Sequence, residues 1–189
     1  MESIRRIVAS GTAVVSTLGV YESFSLTRAR LDTAELAMLA PAVRREVEET
    51  HAGLPQSSFI VPDRLLTKMM QWERSFVAAG GLLGAGCDPW GTGFMPGYGD
   101  LRNYELLIEA GFSPPQAVQI MTLNGARILG EQKRIGSIEP GKAADLVVVR
   151  GDLARDASAI RNTSLVFRDG YGFDPAKLRN EVRGKLGAH

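Results

Sequence analysis

Cysteine and histidine are almost missing. The 189 residues hold one Cys (Cys87) and two His (His51 and His189). A single Cys excludes an internal disulfide and any Cys-based zinc cluster. Two His, one of them the last residue, leave little for a metal site or a His-based mechanism. Long apolar runs are also missing: none approaches the ~18–20 residues that span a bilayer. The first ten residues alternate charge with apolar side chains, which is not the pattern of a secretory leader. The net charge is only +1, so electrostatics give no reason to expect a nucleic-acid partner. Neither nucleic acid nor membrane is expected as a partner, and a cytoplasmic location is. What is present, 44% hydrophobic and 23% charged residues, is the composition of a folded globular chain.

Element signals follow in α/β order. Residues 2–10 read as a helix stopped by Gly11, and 12–18 (TAVVSTL) as a buried strand. Residues 32–52 read as helical with one break, Asp32 capping the first part and Pro41 opening the second. A further helix is expected from Pro62 to about Ala79. Its apolar stripe is Leu65, Leu66, Met69, Trp72, Phe76 and Val77. Residues 82–86 read as a second buried strand and 87–100 as a Gly-rich loop. Helices are expected over 101–110, stopped by Gly111, and from a Ser113–Gln116 capping box to Leu129. Beyond Gly130 the pattern changes to short strands at 135–138, 144–149 and 164–168, with a basic helical tail from Pro175 to His189.

Two blocks resemble the C-terminal end of the metal-dependent amidohydrolase superfamily, in its imidazolonepropionase-like and prolidase-like branch. One is GAGCDPWG (84–91) with NYELLIEAGFSPPQAVQIMTLNGARILG (103–130). The other is RIGSIEPGKAADLVVVRGD (134–152) with LVFRDG (165–170). ASGTAVVSTLGVYE (9–22) is similar to the segment holding that family's seventh barrel strand. The resemblance implies a fold: the C-terminal fragment of a (β/α)8 TIM barrel, namely its last two strands and helices, plus part of a small β-sandwich. It also implies domain limits: barrel portion 1–131, sandwich half 132–172 and helical tail 173–189. It further implies a divalent metal, zinc above others, in the intact relative. The family's ligands on the first, fourth, fifth and sixth strands find no counterpart here. Only the eighth-strand Asp does, at Asp88, so this chain alone is expected to bind none.

On that mapping Asp88 touches the metal and carries a proton from its bound water to the leaving nitrogen. Read without the family, Asp88-Pro89 is a turn starter. Trp90, Phe94 and Tyr98, with Met95 among them, either line a substrate pocket or pack as a surface loop. Cys87 reads as an inert small hydrophobe. His51 reads as a cation at a helix C-terminus, and Asp145 and Asn124 as hydrogen-bonding structural residues. Two functions remain. One is the C-terminal portion of a hydrolase cleaving a C–N bond (amide, cyclic amide or dipeptide-like) in a small molecule, inactive as an isolated chain. The other is a non-catalytic module completed by an N-terminal fragment or by self-association.

Overall fold

A computed structural model describes residues 2–88 and 97–187. Helix α1 (Glu2–Ala9) buries Ile4 and ends where Gly11 turns left-handed at φ 71°. Strand β1 (Val14–Ser16) is shorter than the apolar run suggested, because Thr17 already starts helix α2 (Leu18–Ser23). Asp32 accepts from the N–H groups of Ala34 and Glu35 and caps α3 (Thr33–Leu36). Pro41 opens α4 (Pro41–Ala52), whose charged side chains stay at the surface with Val47 buried.

Helix α5 (Asp63–Ala78) returns the chain to strand β2 (Leu83–Ala85), which pairs parallel with β1 in the register Val14–Leu83, Val15–Gly84 and Ser16–Ala85. The face that α5 buries differs from the expected stripe. Leu65 is exposed, whereas Leu66, Met70, Glu73 and Phe76 are buried. These four follow the i, i+4, i+7, i+10 spacing of one helix face.

Helix α6 (Tyr98–Glu109) starts three residues earlier than expected. Gly111 ends it at φ 94°, and the side chain of Gln116 accepts from the Ser113 N–H as α7 (Pro114–Gln119) begins. A π-turn over Ile120–Asn124 leads into α8 (Gly125–Ile128). Ile4, Phe76, Leu83, Tyr104, Leu107, Phe112, Ala117 and Ile120 form one core between the parallel strands and these helices.

The C-terminal part is a three-stranded antiparallel sheet in the order β3 (Leu146–Val149), β4 (Thr163–Arg168), β5 (Tyr171–Phe173). A 3₁₀ turn at Ala157–Arg161 lies between β3 and β4. No strand forms over 135–138. Gly136 sits at φ 94° so close to the preceding helix that a Cβ there would lie 2.6 Å from Ala126 Cβ, and this packing replaces strand pairing. Helix α9 (Pro175–Val182) ends well before His189. Beyond it, Leu186 pairs with Leu39, trading hydrogen bonds with Met38 and Ala40. The chain is thus mixed α/β. Among the described residues no helix is long and apolar enough to cross a membrane.

Candidate functional site

Parallel pairing puts the carboxyl ends of β1 and β2 side by side, where enzymes of the α/β barrel type carry their chemistry. Asn103, fully buried on α6, braces this end. Its Nδ2 donates to the Ser16 carbonyl at 3.2 Å, and its Oδ1 accepts from the Gly19 N–H at 3.1 Å. The Gly86 N–H donates to the same Ser16 carbonyl at 3.0 Å. Asn124 Nδ2 donates to the Leu83 carbonyl at 2.8 Å, so the π-turn is stitched to the other side of β2. Asn124 is therefore structural, as expected.

Just past β2, Cys87 is buried and Asp88 is exposed. Asp88 has φ 46°, left-handed backbone that costs most L-residues ~1–2 kcal/mol and that Asp tolerates better than most. Burial, with the Asp100 carboxylate nearby, pushes the Cys87 thiol up to about 11. Cys87 therefore stays a neutral thiol near pH 7, in line with an inert role. Trp90, Phe94, Met95 and His189 lie outside the described residues. Tyr98 is not part of a loop. It occupies the first turn of α6, and its hydroxyl donates to the Ala34 carbonyl at 3.4 Å. Burial pushes the Tyr98 phenol up. His51 stands in the last turn of α4, its Nε2 3.5 Å from the Ala29 carbonyl. Asp145 accepts from Arg168 at 2.5 Å and from the Asp169 N–H at 2.7 Å, fastening the β4–β5 turn to the start of β3.

Two polar clusters escaped the sequence reading. The first walls a cavity of about 500 Å³ that Tyr98 also lines. Glu22, almost buried, receives both Arg28 and Arg102 at 2.7 Å. Arg28 also reaches Glu109, and Arg102 reaches Glu105. Arg161, from the 3₁₀ turn before β4, grips Glu105 at 2.5 Å and Asp32 at 3.1 Å. Burial disfavours the charge on Glu105, but the hydrogen bonds from Arg161 and Arg102 outweigh it and hold the carboxyl below its usual range. The Arg28 hydrogen bond does the same for Glu109, against its partial burial. The guanidinium groups and carboxylates pair with one another, so the network acts as a clamp joining α2, α6 and the C-terminal part. The long-range pairs, 56 to 129 residues apart, left no spacing signal in the sequence.

The second cluster is a buried pair beneath β1. Ser16 Oγ donates to Glu73 Oε2 at 3.0 Å, and Glu73 is only 6% exposed. Burial pushes the Glu73 carboxyl up to about 7, against the opposing pull of the Ser16 hydrogen bond. Glu73 could have been found, because it falls on the buried face of α5 at helical spacing.

Among the described residues, no three His, Cys, Asp or Glu side chains gather where they would hold a metal ion. A catalytic zinc takes at least three protein ligands, so the described donors around Asp88 do not by themselves make up a site for one.

Comparison with known proteins adds the lineage. Residues 7–172 match the model of the Amidohydrolase family. The chain is 32% identical over 77 residues to a 5'-deoxyadenosine deaminase of Methanobrevibacter smithii, a match covering 39% of this chain and 18% of that protein. It is 39% identical over 64 residues to an imidazolonepropionase of Clostridium tetani, covering 31% and 15%. Its fold is similar to a Xaa-Pro dipeptidase crystallised with methionine in its active site, with a TM-score of 0.64 at 21% identity. That superposition covers 92% of this chain and 37% of the dipeptidase, so the chain spans well under half of the proteins it matches. With imidazolonepropionase among its relatives, a prolidase-like protein among its fold neighbours, and the family match extending over most of its length, the chain belongs to the Amidohydrolase family.

Proposed function

We propose that this chain is the C-terminal portion of a hydrolase acting on a C–N bond (amide, cyclic amide or dipeptide-like), with Asp88 as the residue that moves the proton. On this reading β1 and β2 are the seventh and eighth strands of a (β/α)8 barrel, and β3–β5 are part of a β-sandwich. The domain limits 1–131, 132–172 and 173–189 go with it. The observation that carries the reading is the position of Asp88. It stands exposed, in left-handed backbone, three residues beyond the carboxyl end of a strand in a parallel pair. A carboxylate there can accept a proton from a nucleophile and return it to a leaving nitrogen. Asn103 and the Gly86–Ser16 hydrogen bond hold the strand ends that present it.

Members of the family are typically metal-dependent. Among the described residues no cluster of three His, Cys, Asp or Glu forms, and on this reading the chain alone is expected to be inactive. Zinc, like the small-molecule substrate, belongs to the reading of the intact relative.

Metal analysis of the purified chain, with hydrolysis assays on dipeptides and cyclic amides, tests this. The expected result is no retained metal after mild chelation and no turnover. Stoichiometric zinc, or turnover that survives Asp88→Asn, would overturn the assignment. A second reading, a module completed by another polypeptide, is favoured by one observation. Val15, in the middle of β1, is 50% exposed, and among the described residues the strand pairs on one side only. In-frame coding sequence upstream of Met1 with a His-x-His supports the first reading. A stop codon and a separate upstream gene support the second.

A further inference from the structure

Residues 31–52 carry a small apolar cluster of their own. Leu36, Leu39 and Val47 are buried together, with Leu31 and Val43 packed against them. None of these belongs to the two larger clusters built on α5 and α6. A unit with its own small core, joined to the rest mainly by polar contacts, can open without unfolding the whole. The same unit walls the ionic cavity of about 500 Å³, where Leu31, Asp32 and Glu35 meet Tyr98, Arg102 and Glu105 of α6. Arg161 donates to Asp32 at 3.1 Å, and the Tyr98 hydroxyl donates to the Ala34 carbonyl at 3.4 Å.

The tail beyond α9 crosses this unit like a strand. The Gly184 N–H donates to the Ala37 carbonyl at 3.1 Å and the Leu186 N–H to the Met38 carbonyl at 3.0 Å. The Ala40 N–H donates in turn to the Leu186 carbonyl at 2.9 Å. Gly187 is seated so closely that a Cβ there would lie 2.9 Å from Val43 Cγ2. Residues 183–187 are nevertheless all exposed, so lifting them uncovers little apolar surface. Gly184 at φ 72° and Gly187 at φ 78° bracket the paired stretch, and glycine lets the chain change direction there at little steric cost.

We propose that residues 183–187 are a releasable latch on the unit 31–52. Seated, they hold it closed over the ionic cavity; lifted, they let it swing away while the core built on α5 and α6 stays folded. Both sides of every contact invoked lie within this chain, and the proposal is independent of the role given to Asp88.

Hydrogen exchange followed residue by residue, in the full chain and in three variants, tests this. Leu186→Pro removes one latch donor, Gly187→Val drives the tail against Val43, and a chain ending at Val182 lacks the latch altogether. The Leu36, Ala37 and Arg44 amides report on the unit, and the Val14 and Ala110 amides report on the core. In the full chain the unit amides should exchange together with the Gly184 and Leu186 amides, and faster than the core amides. Losing the three latch hydrogen bonds should raise the opening equilibrium roughly ten- to hundredfold. The chain ending at Val182 should lose that much protection in the unit and none in the core, and the two point variants should follow it in part. Unit protection unchanged without the tail would overturn the proposal. So would unit and core amides exchanging together in the full chain, or an equal loss of protection in both without the tail, because the tail would then be part of one cooperative fold.

Discussion

Replacing Glu73 by Gln should change how stability depends on pH more than it changes the structure. In the unfolded chain this carboxyl titrates near 4.5, and in the fold burial raises it to about 7. Between those values the folded state binds more protons than the unfolded state. Stability therefore falls as pH rises, the reverse of a salt-bridged carboxylate. A shift from 4.5 to about 7, at about 1.4 kcal/mol per unit, corresponds to roughly 3 kcal/mol of stability present at acid pH and lost by pH 8. Most of that loss, about 2–3 kcal/mol, falls between pH 5 and pH 8. Gln has the same shape, can still accept from the Ser16 hydroxyl and does not ionise. Urea unfolding of wild type and Glu73→Gln at pH 5, 6, 7 and 8 measures this directly. The variant should be little changed at pH 5 and more stable than wild type at pH 8, by about 2–3 kcal/mol. If the two proteins have parallel pH profiles, the carboxyl is not desolvated beneath β1. The account of the buried pair would then be wrong.

Other perturbations test the remaining parts. Arg102→Ala strips buried Glu22 of two donors but leaves it Arg28, and urea unfolding should show a loss of about 1–3 kcal/mol. Arg161→Met, at the more exposed end of the same clamp, should cost only about 1 kcal/mol. Asn103→Ala leaves the Gly19 N–H without its buried partner and takes one of two donors from the Ser16 carbonyl. Chemical denaturation should show a loss of about 2–3 kcal/mol. Gly136→Ala forces a Cβ against Ala126 in left-handed backbone, and thermal unfolding should show about 1–3 kcal/mol of destabilisation. Asp88→Gly should leave stability unchanged or raise it by up to ~1 kcal/mol, because Gly carries no penalty at φ 46°. A clear loss would instead mean that Asp88 supports the fold.

The sequence by itself determined the elements whose signals are local. Asp32 and the Ser113–Gln116 pair cap helices through contacts two or three residues away, and Gly111 and Gly130 end helices because only backbone freedom is needed there. The family motifs are also strings of neighbours, which is why the lineage was legible from the sequence. Tertiary structure decided whatever depended on distant partners. Residues 135–138 have strand composition but lie against Ala126, so packing overrode pattern. Tyr98 moved from loop to helix and to the rim of an ionic cavity. The clamp joining Glu22, Arg102, Glu105 and Arg161 exists because the chain brings charges 56 and 80 residues apart into contact. Glu73 shows the boundary between the two. Helical spacing alone could have turned it inward, but only the position of β1 gave it Ser16 as its partner and withheld a cation.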